Sequence, residues 1–279
     1  MPLIGADELR AVLCDPALRI VDVRWYLRRR GEGHAAYERG HIPGAIHLDL
    51  DADLSARGGP GRHPLPNASD FAHRLGDAGI GSDHLVVAYD DAGGWVAARL
   101  WWMLERIGHG RVRVLDGGIG SWVKGGGLLT ADVPQWPAAR LEPTAGWSGT
   151  VDRDALRARL GRVVLLDARA SARYRGEVEP IDPAAGHIPT AISAPFEGNL
   201  GADGRFLPPD MLAARFRALG AASGVEVVTY CGSGTSALHH ALAMRVAGLP
   251  EPTLYVGSWS DWSTAGYPVA TGPEPGSLT

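Results

Sequence analysis

Cys231 is the residue best placed to do chemistry, because it opens the loop Cys231-Gly-Ser-Gly-Thr-Ser236, with apolar residues at helical spacing from Ala237 onward. Gly232 and Gly234 let the backbone curl so that successive N–H groups point inward, and the first turn of a helix adds its own unpaired donors. Such a loop is an anion cradle with sulfur at its base. A free thiol titrates near ~8.5, and amide donors plus a helix N-terminus lower that value, so a thiolate nucleophile is expected at neutral pH. Gly232, Gly234, Thr235 and Ser236 would line the cradle and bind the anionic substrate. A cysteine phosphatase needs an arginine six positions after its cysteine, and position 237 is Ala, which argues against phosphate transfer.

The elements that must hold this loop are legible on either side of it. Val225 to Tyr230 is a β-branched and aromatic run that reads as a core strand, so the loop joins a strand to a helix. The same pattern occurs earlier, because the chain repeats itself. Ile20-Val-Asp22-Val-Arg24 is echoed by Leu165-Leu-Asp167-Ala-Arg169, and Gly40-His41-Ile-Pro43 by Gly186-His187-Ile-Pro189. Val86-Val-Ala-Tyr89-Asp90 matches Val227-Val-Thr-Tyr230-Cys231, and Gly120-Ser-Trp122 matches Ser260-Asp-Trp262. A period of about 140 residues is domain-sized, so two tandem domains are expected, 1–140 and 141–279, joined through the Gly- and Pro-rich stretch 125–147. Apolar runs at 19–23, 45–48, 85–89 and 111–115 alternate with helical patterns at 71–78 and 96–107, the α/β signature of a mostly parallel sheet flanked by helices.

The repeat also distinguishes the halves. Asp90 stands where the second half has Cys231, and a carboxylate at the base of an anion cradle repels an anionic sulfur. The first domain is therefore expected to be catalytically silent. Asp22, Arg24, Asp167 and Arg169 read as buried ion pairs that hold loops, and His41 and His187 as turn histidines satisfied by nearby backbone. Cys14 has nothing glycine-rich near it and reads as structural or merely exposed, while His239 and His240 read as ordinary helix residues.

Composition narrows the partners. The chain has 279 residues, 45% of them hydrophobic, with 27 basic and 31 acidic side chains for a formal charge of −4. Interspersed charge of both signs offers no surface for nucleic acid or an anionic membrane. No apolar segment reaches the ~18 residues of a membrane span, and Met1-Pro-Leu-Ile-Gly-Ala-Asp lacks the basic and apolar regions of a leader, so a cytoplasmic protein is expected. Two cysteines make neither a disulfide framework nor a zinc site, so no metal and no cofactor are expected.

The loop from Cys231 to Ser236 resembles the active-site loop of the rhodanese superfamily, in which the cysteine carries a persulfide sulfur. Its Cys-Gly-Ser-Gly start looks most like the 3-mercaptopyruvate sulfurtransferases. The motifs Asp-x-Arg, Gly-His-Ile-Pro and Gly-Ser-Trp-Ser-Asp-Trp262 come in that family's order, so the resemblance spans nearly the whole chain. It implies a relay of Ser233, His63 and Asp51, which would protonate the pyruvate enolate left when sulfur departs, and it implies that Arg173 grips the donor carboxylate. Two features pull in different directions. The mercaptopyruvate enzymes usually carry a second arginine after Glu-Pro, where this chain reads Glu179-Pro-Ile-Asp182 and the acidic Asp182 does not bind carboxylate; Arg175 is the nearest stand-in. Thiosulfate enzymes typically place an Arg or Lys pair in the loop, where this chain has Gly232 and Ser233. The resemblance thus favours transfer of a sulfane sulfur from 3-mercaptopyruvate to cyanide or a thiol, with a thioredoxin-like protein as one candidate acceptor. Thiosulfate sulfurtransferase is the alternative, and a persulfide carrier or redox-sensing module is the third reading.

Overall fold

Strands form where β-branched and aromatic residues run together, and helices where apolar residues return every three or four positions. A computed structural model describes residues 1–277. The chain divides into two units, one made of Met1–Ala56, Leu65–Ser148 and Ala202–Arg205. The other comprises Arg57–Pro64, Gly149–Gly201 and the chain from Phe206 onward.

In the first unit the strands are β1 (Leu3–Ile4), β2 (Leu18–Asp22), β3 (Ala45–His47), β4 (Leu85–Tyr89) and β5 (Val112–Leu115), and the helices are α1 (Ala6–Ala11), α2 (Glu32–Arg39), α3 (Ala68–Asp77), α4 (Trp95–Arg106) and α5 (Gly118–Lys124). The strands make one sheet in the order β1-β5-β4-β2-β3, with every pairing parallel. Helix α3 starts where Asn67 accepts N–H bonds from Ser69 and Asp70. Helix α4 is apolar nearly all round, and Val96 through Leu104 are buried without a break, the mark of a helix enclosed by its domain. The stretch 125–148 has little regular structure but is tied to the first unit by backbone bonds, from Ala139 N–H to Gly76 O and from Thr144 N–H to Ile107 O.

The second unit repeats the plan with β6 (Thr150–Val151), α6 (Arg153–Arg157), β7 (Val164–Asp167), α7 (Ser171–Tyr174), β8 (Ala191–Ser193), α8 (Pro209–Ala218), β9 (Val227–Tyr230), α9 (Leu238–Val246), β10 (Thr253–Tyr255) and α10 (Ser258–Trp262). Its order is β6-β10-β9-β7-β8, again all parallel. The expected α/β class with two parallel sheets flanked by helices is thus the observed one. The strands β1 and β6, two residues each, are too short to leave a periodic signal in the sequence.

The ion pairs hold loops at the carboxyl ends of these sheets. Arg169 bonds Asp167 through Nε and Nη2 and donates to Gly186 O at 2.6 Å; Arg24 does the same with Asp22 and Gly40 O, at 2.8 Å for the carbonyl. Each arginine so ties the end of a central strand to the Gly-His-Ile-Pro turn. The turn histidines stack on tyrosines, His41 on Tyr37 and His187 on Tyr174, and each bonds that tyrosine's carbonyl through Nδ1. His239 and His240 lie on α9 as expected, and both are completely buried there.

Candidate active site

Cys231 leaves the carboxyl end of β9, between β10 and β7, where loops of a parallel sheet present ligand sites. It is 2% exposed. The loop is held from one side by α10: the N–H of Trp259 donates to Cys231 O at 2.9 Å and that of Ser260 to Gly232 O at 3.0 Å. In a trans peptide the N–H points opposite the C=O, so fixing these two carbonyls toward α10 turns the N–H groups of Gly232 and Ser233 the other way. The Ser233 N–H reaches Cys231 Sγ at 3.5 Å. Gly234 has φ 76°, and a Cβ there would lie 2.4 Å from Val256 O, so the turn admits only glycine.

Ser258 completes the mount, a role that no local motif announces. Its hydroxyl accepts the Cys231 N–H at 3.1 Å and donates to Tyr255 O at 2.9 Å. It does so at φ 54°, a left-handed conformation that costs a non-glycine residue on the order of 1–3 kcal/mol. The repeat puts Gly118 at the equivalent position, with φ 57° and no such cost. The second unit keeps a strained serine where the first uses glycine, and the hydroxyl holding the Cys231 backbone is what distinguishes them. In the sequence Ser258 falls within Gly-Ser-Trp-Ser-Asp-Trp262, and the alignment of the two halves, which sets it against Gly118, singles it out.

The segment 57–64 supplies the other side chains. Gly61, at φ 78°, lies so close to Gly257 that a Cβ would come within 2.4 Å of its carbonyl oxygen, and the Arg62 N–H donates to Ser260 Oγ at 3.1 Å. His63 is thereby carried to Ser233, with Nδ1 2.8 Å from the hydroxyl, and to Thr235 Oγ1 at 3.5 Å. His63 and Thr235 are buried, and Ser233 and Ser236 partly so. Cys231, Ser233, Thr235 and His63 are thus assembled within one unit. Asp51 lies in the other unit, where it accepts the Trp25 indole N–H at 2.9 Å.

Arg173 projects from α7 into an acidic pair. Its Nη2 bonds Glu179 at 2.7 and 2.9 Å and Asp182 at 3.2 Å. Burial pushes the Glu179 carboxyl up, but the Arg173 fork and the N–H groups of Asp182 and Ile181 outweigh it and leave Glu179 below the ordinary carboxylate range. Asp182 is raised by burial and by the charge of Glu179, against the pull of Arg62 and Arg173. Arg175 is paired with Glu177, at 2.7 Å from Nε to Oε1, rather than with this group. The guanidinium that does join it belongs to Arg62, which bonds Asp182 through Nη1. Arg62 gives no signal in the sequence because it stands 120 residues before Asp182, in a Gly- and Pro-rich loop that looks solvated.

The matching position in the first unit is occupied by its own anion. Both Asp90 oxygens accept backbone bonds, Oδ1 from Ala92 and Gly94 at 2.9 and 2.8 Å and Oδ2 from Val96 and Ala97 at 2.9 and 3.1 Å. The amides that make a cradle in one repeat satisfy a buried carboxylate in the other. Burial raises the Asp90 pKa while these four donors oppose the shift. Cys14, the other free cysteine, is exposed.

A family model described as a rhodanese-like domain matches residues 5–125 and again 152–265. The chain is 46% identical over 278 residues to a Pseudomonas aeruginosa protein named "Probable 3-mercaptopyruvate sulfurtransferase", covering 97% of this chain and 98% of the relative. A Mycobacterium tuberculosis protein provisionally named thiosulfate sulfurtransferase is 42% identical over 269 residues, 94% of each chain. Among solved structures, SseA from Escherichia coli, described with the rhodanese fold and the mechanism of 3-mercaptopyruvate sulfotransferases, aligns with a TM-score of 0.82 at 30% identity, covering 93% of this chain and 99% of that one. With one matched segment in each half, the chain belongs to the rhodanese-like family.

Proposed function

We propose that this rhodanese-family sulfurtransferase takes its sulfur from 3-mercaptopyruvate and passes it on through a persulfide at Cys231. The Cys231 thiolate attacks the donor sulfur, an S–S bond forms, and the C–S electron pair leaves on carbon as the enolate of pyruvate. That carbon takes one proton, giving pyruvate and Cys231–S–SH. A thiolate or cyanide then attacks the outer sulfur and returns Cys231 to its thiolate.

The observation that carries this reading is the contact of His63 Nδ1 with Ser233 Oγ at 2.8 Å, two residues along the loop from the thiol. A histidine bonded to a hydroxyl beside the reacting sulfur is the equipment for delivering a proton to carbon. Thiosulfate releases sulfite, which needs no such proton. The resemblance adds Asp51 as the third member of the relay.

In this account the first unit takes no sulfur, because Asp90 fills its own cradle. The compartment is a reducing one such as the cytoplasm, which suits a working thiol and two unpaired cysteines, and a thioredoxin-like dithiol is a fitting acceptor. No helix among the described residues is long and apolar enough to cross a membrane. Turnover of the purified protein with each donor, with cyanide or a dithiol as acceptor, tests the proposal. Mercaptopyruvate is expected to be the faster donor by kcat/KM, and a preference for thiosulfate would overturn the assignment.

A further inference from the structure

The resemblance implies a second arginine after Glu-Pro, where this chain reads Glu179-Pro-Ile-Asp182, and without it the donor carboxylate is left with Arg173 alone. The geometry at Gly232 supplies another cation. A methyl group placed on the Gly232 Cα would come within 2.8 Å of Arg62 Nη2 and 3.3 Å of Arg173 Nη1. These are the outer nitrogens of the two guanidiniums, because Arg62 uses Nη1 on Asp182 while Arg173 uses Nε on Glu179 and Nη2 on both acids. The acids lie inside, with side chains 4% exposed or less, and the arginines outside, with 28% and 19% exposure. Asp182 touches both arginines, Arg62 through Oδ1 and Arg173 through Oδ2, and so holds two forks at a fixed separation with one edge of each turned to the residue beside Cys231.

We propose that Arg62 is a donor-binding residue, that Arg62 Nη2 and Arg173 Nη1 together grip the carboxylate of the 2-oxo acid, and that Asp182 is the positioning residue that aligns them. The site takes a small monoanionic carboxylate whose sulfur then sits over Cys231. Glycine at 232 is required because any side chain would fill the space between the two nitrogens and the loop. This inference rests on the mercaptopyruvate reading above.

The test measures persulfide formation by rapid quench and intact mass across donor concentrations, and protection of Cys231 from iodoacetamide by pyruvate. A charged hydrogen bond contributes roughly 1.5–3 kcal/mol, so Arg62→Ala is expected to raise the half-saturating mercaptopyruvate concentration about 10- to 100-fold, with a smaller change in the saturated rate. The pyruvate concentration needed for protection should rise by a similar factor. Arg62→Lys should recover part of the loss, because it keeps the charge and loses the fork. Unchanged half-saturation and unchanged pyruvate protection in Arg62→Ala, with wild type saturating normally, would overturn the role of Arg62 and leave the donor assignment standing. A wild-type protein that neither forms persulfide with mercaptopyruvate nor is protected by pyruvate would instead overturn the donor assignment, and the carboxylate site with it.

Discussion

The Nδ1 atom of His63 lies 2.8 Å from the hydroxyl of Ser233, although 170 residues separate them in the chain. If the pair delivers a proton to the pyruvate carbon, Ser233→Ala and His63→Ala should each slow mercaptopyruvate turnover on the order of 10²-fold. The double variant should be little worse than either, as for groups acting as one unit. Thiosulfate turnover should fall much less. Steady-state rates with both donors check this, and equal losses with the two would reduce His63 and Ser233 to shaping the loop.

The strained Ser258 yields a stability prediction. Ser258→Ala keeps the left-handed backbone cost and loses the hydroxyl that accepts the Cys231 N–H, so it should destabilise the protein by about 1–3 kcal/mol. Ser258→Gly loses the same bond but relieves the strain, and should be the more stable of the two. Both should slow persulfide formation, because each frees the Cys231 backbone. Chemical denaturation separates the variants, and a glycine variant less stable than the alanine variant would count against strain at this position.

Burial makes His240 a source of acid sensitivity. Its Nε2 bonds Ala194 O at 2.8 Å and its Nδ1 meets the Thr229 hydroxyl at 2.9 Å, an arrangement that suits the neutral ring with its proton on Nε2. Burial, with the nearby Arg215 charge, pushes its pKa down to about 4 from an unfolded value of 6.5. Between those values the unfolded chain binds a proton that the folded one refuses. The stabilisation is therefore whole above pH 6.5 and is lost as pH falls toward 4, by on the order of 3 kcal/mol in all. His240→Gln should flatten the dependence of the urea midpoint on pH between about 6 and about 4.5, even if the variant is less stable at neutral pH. An unchanged slope would assign the sensitivity to other groups, such as His47 and His109, which burial also lowers.

How much of the molecule is legible in the sequence depends on where the information lies. The doubled Asp-x-Arg and Gly-His-Ile-Pro motifs and the apolar strands are local patterns, and they lead directly to two parallel sheets. The loop at Cys231 is equally legible, since its glycines and the helix after it are contiguous. Arg62 is not, because its significance depends on Asp182 and Gly232, which folding brings to it from far along the chain. The burial of His239 and His240 is hidden for a related reason: α9 carries little polar contrast between its faces, and only the surrounding elements reveal that it is enclosed.

Sulfur is carried, in this account, on Cys231 and nowhere else in the chain. Intact-mass measurement after incubation with mercaptopyruvate, together with peptide mapping, tests this most directly. One added sulfur atom is predicted, located on Cys231 and removable by reductant, retained in Cys14→Ser and absent in Cys231→Ser. Sulfur bound in Cys231→Ser, or a second atom on Cys14, would contradict it.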